Sequence, residues 1–153
     1  MNSRCSSISL QKEFPMTEPA RDELIRMALD AQRRAYVPYS NFPVGAALRA
    51  ASGKVYQGAN VENASYGLTI CAERVAASSA VAAGDRDFTS IAIVSRGGAT
   101  PCGACRQFLA EFNPTLRVIM VDSEHQDHGF QATLNDLLPN RFDKSKVDRG
   151  KRP

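Results

Sequence analysis

Apolar residues early in the chain follow a helical spacing, with Leu24, Ala28, Ala31 and Ala35 on one stripe and Ile25 and Leu29 beside it. Thr17 is the candidate N-cap and Pro38 forbids continuation, so the spacing predicts an amphipathic helix ending before Pro38. The pattern then changes. Val44 to Ala50 reads as a strand, Ser52-Gly53 as a turn, and Val55 to Val61 as its hairpin partner. Cys71 to Ala83 is dense in alanine and is followed by Gly84, the signature of a helix with a glycine past its end. Ser90 to Ser95 predicts a short buried strand, Gly103 to Phe112 a helix, and Arg117 to Asp122 a strand rich in Val, Ile and Met. A last short helix is expected from Thr133, with Asp136 as capping-box partner, ending before Pro139.

Strand, helix, strand, helix, strand is the order of βαβ units. Such units make parallel strands with right-handed crossovers, so both crossover helices fall on one face if their strands are neighbours, and their N-termini share an edge. Composition adds little to this outline. With 153 residues, 43% hydrophobic and 23% charged, the chain fits one soluble domain without repeats. No apolar run approaches the roughly 20 residues of a membrane span, and no signal-peptide core precedes the first helix, so a cytoplasmic protein without a membrane partner is expected. Residues 1–15 read as a flexible extension or as sequence upstream of a start at Met16, 16–142 as the domain, and 143–153 as a basic tail. Arg141, Lys144, Lys146, Arg149, Lys151 and Arg152 account for much of the net charge of +3. Without interleaved aromatics to stack bases, this run is expected to be solvated and disordered rather than a nucleic-acid arm.

The cysteines carry the chemistry. Cys71 opens one predicted helix, and 31 positions later Cys102-Gly103-Ala104-Cys105 opens the next, a gap that one helix, one strand and two turns account for. Helices packed side by side lie about 8 to 10 Å apart, near enough for first-turn thiols to meet at one ion. Three ligands leave a fourth position open, as a catalytic zinc site requires, and Glu73 is placed to act on a water there. Helix N-termini also favour the thiolate form. A rival reading of Cys102 and Cys105 is a thiol redox pair, which leaves Cys71 and Glu73 without a task. Cys5 is left over. His125 and His128 lie in the polar run from Glu124 to Gly129 and read as a solvated turn rather than a metal pair.

The segments Tyr39-Ser40-Asn41-Phe42-Pro43-Val44-Gly45-Ala46-Ala47, Asn60-Val61-Glu62-Asn63-Ala64, Cys71-Ala72-Glu73-Arg74, Pro101-Cys102-Gly103-Ala104-Cys105-Arg106-Gln107 and Leu137-Leu138-Pro139 resemble the homotetrameric cytidine deaminases of the three-cysteine zinc type. The resemblance runs from about Tyr39 to Phe142. It implies a three-layer α/β/α fold with a mixed five-stranded sheet, one Zn²⁺ per subunit on Cys71, Cys102 and Cys105, and Glu73 as proton shuttle. The implied reaction is hydrolytic deamination of cytidine and 2′-deoxycytidine in pyrimidine salvage. By the same resemblance Asn60 and Glu62 bind the ribose 3′-hydroxyl, Phe42 packs on the pyrimidine, and the Ala72 amide meets the base carbonyl. Tyr66 and Phe142 reach a neighbouring subunit's site, in a homotetramer that takes a free nucleoside and excludes nucleic acid.

Three thiolates give the ion a net charge of −1. Arg74 would relieve it by donating to ligand sulfurs, a role the resemblance also supports. Turn chemistry is the alternative for Asn60 and Glu62, core packing for Phe42, and ordinary packing for Tyr66 and Phe142. Another aminopyrimidine compound, as in the blasticidin deaminases, is the alternative substrate; the nucleoside-binding segments favour cytidine.

Overall fold

A computed structural model describes residues 19–148. Helix α1 (Pro19–Gln32) precedes the hairpin β1 (Gly45–Ala50) and β2 (Val55–Ala59), followed by α2 (Ala72–Ala82), β3 (Phe88–Ser95), α3 (Gly103–Ala110), β4 (Arg117–Asp122), β5 (Gly129–Thr133), α4 (Leu134–Leu137) and α5 (Lys144–Asp148). The five strands form one sheet in the order β2-β1-β3-β4-β5. Only β3 and β4 pair in parallel; the other neighbours are antiparallel, so the sheet is mixed, as expected.

Alternation along the central strands builds both faces. Ala46, Leu48, Ile91, Ile93, Val118 and Met120 point to the side covered by α2 and α3. Ala47, Ala92, Val94, Ile119 and Val121 point to the other side, under Leu24, Ile25 and Ala28 of α1. Burial on both faces explains why β3 and β4 read as nearly continuous apolar runs. The layers are therefore α1, the sheet, and α2 with α3. The two crossover helices do share a face, although β1 separates β2 from β3, so only the second crossover joins neighbouring strands.

Several boundaries differ from the sequence reading. Thr17, the expected cap of α1, lies outside the described residues, as do Cys5 and the proposed extension 1–15. The helix ends at Gln32, well before Pro38, because Tyr36 is taken into a bridge: its N–H donates to Asn60 O at 3.0 Å and its carbonyl accepts from Glu62 N at 2.9 Å. The fifth strand, which the resemblance implied without placing it, is β5, and part of the basic run expected to be disordered is helical. Residues 144–148 are helical, started by Asp143, whose Oδ1 accepts from Ser145 N at 3.0 Å and whose carbonyl accepts from Lys146 N at 2.9 Å. The capping box of Thr133 and Asp136 forms as read. Among the described residues no helix is long and apolar enough to cross a membrane.

Candidate active site

Two helix N-termini meet at the candidate centre. Cys71 is the N-cap of α2 and Cys102 the N-cap of α3, both with extended backbone and neither using its side chain to cap. Serine or aspartate at these positions would fold back onto the helix; here the sulfurs face each other, with Cys71 Sγ and Cys102 Sγ 3.9 Å apart. Cys105, one turn into α3, is fully buried, and the three sulfurs lie within 4.8 Å of one another. A tetrahedral zinc at about 2.3 Å from each sulfur needs them about 3.8 Å apart. The donor set fits that ion in spacing and in softness.

Electrostatics point the same way. The Cys71 thiol is held down to about 5, first by a hydrogen bond from Cys105 and then by Arg74 and Cys102. Cys105 is pushed up for the reciprocal reason, because its thiol is the donor in that pair. Arg74 Nη2 lies 3.7 Å from Cys71 Sγ. Glu73, 4% exposed in the first turn of α2, has its carboxyl pushed above the usual range, first by burial and further by the neighbouring Cys71.

The close approach of α2 to the sheet depends on Gly58. A Cβ there would stand 2.3 Å from Ala72 O and 2.5 Å from Ala76 N, so β2 can pass beneath the first turns of α2 only without a side chain. Beyond β2, Val61 and Ile70 exchange backbone hydrogen bonds at 3.0 Å in both directions. This pairing brings the 60–62 segment alongside the residue that precedes Cys71.

Asn60 and Glu62 are both engaged. Asn60 Oδ1 accepts from Val44 N at 2.9 Å and its Nδ2 donates to Phe42 O at 3.0 Å. Glu62 accepts from Tyr39 N at 2.9 Å, from Ser40 N at 3.2 Å and from the Ser40 hydroxyl. These bonds fix the loop that carries half-buried Phe42, whose turn is completed by Asn41 at φ 51°, a conformation asparagine tolerates. An open pocket of about 360 Å³ lies beside it, lined by Tyr39, Ser40, Glu62, Tyr66 and Thr69. Tyr39, Ser40 and Thr69 received no role in the sequence reading, although Tyr39 and Ser40 open the longest of its motifs. Tyr66 is 74% exposed and meets Tyr39 edge-on at 5.8 Å. Phe142, 64% exposed, is tied to α3 through Gln107 Nε2, which donates to Phe142 O at 2.7 Å.

His125 and His128 occupy an exposed turn, stacked at 5.6 Å. Asp122, Glu124 and His125 gather there, but Asp122 Oδ1 is taken by the amides of Gly97 and Glu124, and Glu124 pairs with Arg96 at 3.5 Å.

The family model described as "Cytidine and deoxycytidylate deaminase zinc-binding region" matches residues 19–121, a span containing all three cysteines and Glu73. A cytidine deaminase of Halalkalibacterium halodurans is 47% identical over 124 residues, covering 80% of this chain and 93% of that one. One from Sporosarcina psychrophila is 44% identical over 129 residues, covering 82% and 93%. The crystal structure of a cytidine deaminase from Burkholderia pseudomallei superposes with a TM-score of 0.75 at 50% identity, covering 79% of this chain and 98% of that one. A pair of thiols alone would have suited redox exchange; three thiols, a buried glutamate and these relatives do not, and the chain belongs to the cytidine and deoxycytidylate deaminase family.

Proposed function

We propose that the protein hydrolyses cytidine and 2′-deoxycytidine to uridine and 2′-deoxyuridine, releasing ammonia, with one Zn²⁺ per subunit held by Cys71, Cys102 and Cys105. The observation that carries this reading is the meeting of three sulfurs within 4.8 Å beside the buried carboxyl of Glu73. Zinc, when bound, supplies the Lewis acidity that brings ionisation of a water to about pH 7.

Glu73 does the proton work. Its carboxylate takes one proton from the attacking water and delivers it to N3 of the pyrimidine so that C4 becomes electrophilic, then takes the second from the hydroxyl formed at C4 and gives it to the amine as the C4–N bond breaks. Water in and ammonia out balance the exchange of C4–NH₂ for C4=O. Burial raises the affinity of Glu73 for a proton, which suits a group that must hold one between steps. Arg74 offsets the excess negative charge of the thiolates by donating to Cys71.

Substrate contacts follow the same logic. The Ala72 amide, in the first turn of α2, has no intrahelical acceptor and is available to the base carbonyl. After its bonds to the 42–44 backbone, Asn60 keeps one Nδ2 hydrogen and one Oδ1 lone pair for a ribose hydroxyl. Glu62 faces the open pocket and shares that task. Both act on the 3′-hydroxyl, which ribo- and deoxyribonucleosides have in common; Phe42 packs on the pyrimidine.

Exposure of Tyr36, Val61 and Ile70, bridged to one another, and of Tyr39 and Tyr66, in ring contact, supports a homotetramer in which neighbours cover these residues and Tyr66 and Phe142 complete adjoining sites. A roofed pocket admits a free nucleoside and excludes a strand of nucleic acid. The role is pyrimidine salvage in the cytoplasm. Sedimentation combined with competing-substrate kinetics tests the finer points: a tetramer turning over both nucleosides is expected, and a monomer that is fully active contradicts the shared site.

A further inference from the structure

Arg106 follows the ligand Cys105 directly, and its guanidinium joins three segments of chain. Nε donates to Pro101 O at 2.7 Å, Nη1 to Leu137 O at 2.7 Å, and Nη2 to Thr100 Oγ1 at 3.1 Å. Two of these acceptors belong to the residues immediately before Cys102. The third is the end of α4, on the segment that leads to Phe142.

The three sulfurs are not equally constrained by the fold. Cys105 is fully buried within α3, and Cys71 follows Ile70, which is paired to Val61. Cys102 is exposed at the junction of α3 with the turn after β3, where Gly97 and Gly98 both have positive φ. As N-cap it makes no side-chain bond to its own helix. Thr100-Pro101 is therefore the stretch whose placement sets the Cys102 sulfur, and Arg106 is bonded to both of its residues.

We propose that Arg106 is a positioning residue for the metal centre, holding Cys102 within reach of the ion by clamping Thr100 and Pro101 between α3 and the end of α4. The planar fork is essential to this task. A lysine ammonium is a single point of charge on a flexible stem and cannot present donors in three fixed directions. The inference rests on the reading that these cysteines hold zinc, and goes beyond it by assigning to Arg106 the affinity of the site.

The test is zinc affinity of the full chain, measured by competition with a chromophoric chelator. Arg106→Gln is expected to weaken zinc binding by about 10- to 100-fold, the usual effect of losing a residue that orients a metal ligand, and Arg106→Lys is expected not to restore it. Thr100→Val, which removes only the Nη2 bond, should weaken binding less and in the same direction, and it serves if Arg106→Gln does not fold. Gln107→Ala, next along the helix, should leave zinc affinity as in the wild type. Because Arg106 acts through Cys102, its penalty should shrink in a Cys102→Ser background, whereas a general loosening of the fold would leave it undiminished. Wild-type affinity in both Arg106→Gln and Thr100→Val, or an undiminished penalty in the Cys102→Ser background, would overturn the proposal alone. A wild-type chain that takes up no zinc would overturn the metal reading, and the proposal with it.

Discussion

Arg74 Nη2 stands 3.7 Å from Cys71 Sγ, one helical turn from the N-cap thiol it serves. A cation in the first turn opposes the helix dipole unless an anion is close by, and the thiolate is that anion. With Arg74→Ala, the Cys71 thiol of the metal-free protein should titrate higher than its present value of about 5. Alkylation of Cys71 followed by mass spectrometry against pH reads this directly, because the thiolate is the reacting form. The midpoint should move up in the variant, while the loss of activity in the zinc-loaded enzyme should be about 10- to 100-fold. An unmoved midpoint would remove Arg74 from the thiolate's support.

Gly58 is fixed by contact rather than by backbone angle. Gly58→Ala drives a methyl against the backbone of α2 at Ala72 and Ala76, and neither can yield without moving the helix that carries Cys71 and Glu73. Overpacking of this kind costs about 1 to 3 kcal/mol, and a lower thermal midpoint with weaker zinc retention is expected. A variant that melts with the wild type would show that α2 does not rest on β2 as described.

Asp85, just beyond α2, accepts from Tyr56 Oη at 2.6 Å and Ser52 Oγ at 2.9 Å, tying the hairpin to the end of the helix. Its carboxyl is held below the ordinary 3.8, first by the Tyr56 bond and then by Ser52. A folded-state value below the unfolded one means that the contribution is fully present above the unfolded value and is lost as pH falls through the folded one. The gap in thermal midpoint between the wild type and Asp85→Ala should therefore be widest near neutrality and close as the solution is acidified. A gap that widens on acidification contradicts the assignment.

Phe142 contacts α3 of its own chain through its backbone carbonyl, and the residue remains 64% exposed. If that ring closes a neighbour's pocket, Phe142→Ala should raise KM well before it lowers kcat, with zinc content unchanged. Equal losses in both constants would place its effect elsewhere.

Much of this was legible from the chain because local rules and tertiary demands agree. Gly84 past the end of α2 has φ +94°, and the Thr133 and Asp136 box starts α4 where the sequence places it. The central strands announce themselves because both faces are buried. What was missed lies where tertiary contact overrides the local pattern. Ala35 continues the helical stripe, yet Tyr36 is claimed by Asn60 and Glu62 of another segment. Strand β5 is five residues long, half-buried and preceded by a polar turn, so it carries no clear period; its existence depends on pairing with β4. Asn60 and Glu62 read as substrate groups by resemblance and as turn formers by their chemistry; that their bonds go to the distant 39–44 loop is a consequence of chain folding that spacing does not reveal.

The most direct measurement of the central claim is the loss of cytidine absorbance on adding purified, zinc-loaded protein, run in parallel with Glu73→Gln at matched zinc content. The wild type should convert cytidine to uridine with release of ammonia, and Glu73→Gln should keep its zinc and fall by about 10² to 10⁴ in rate. Equal turnover by the two proteins, or none by either with zinc fully bound, would contradict the account.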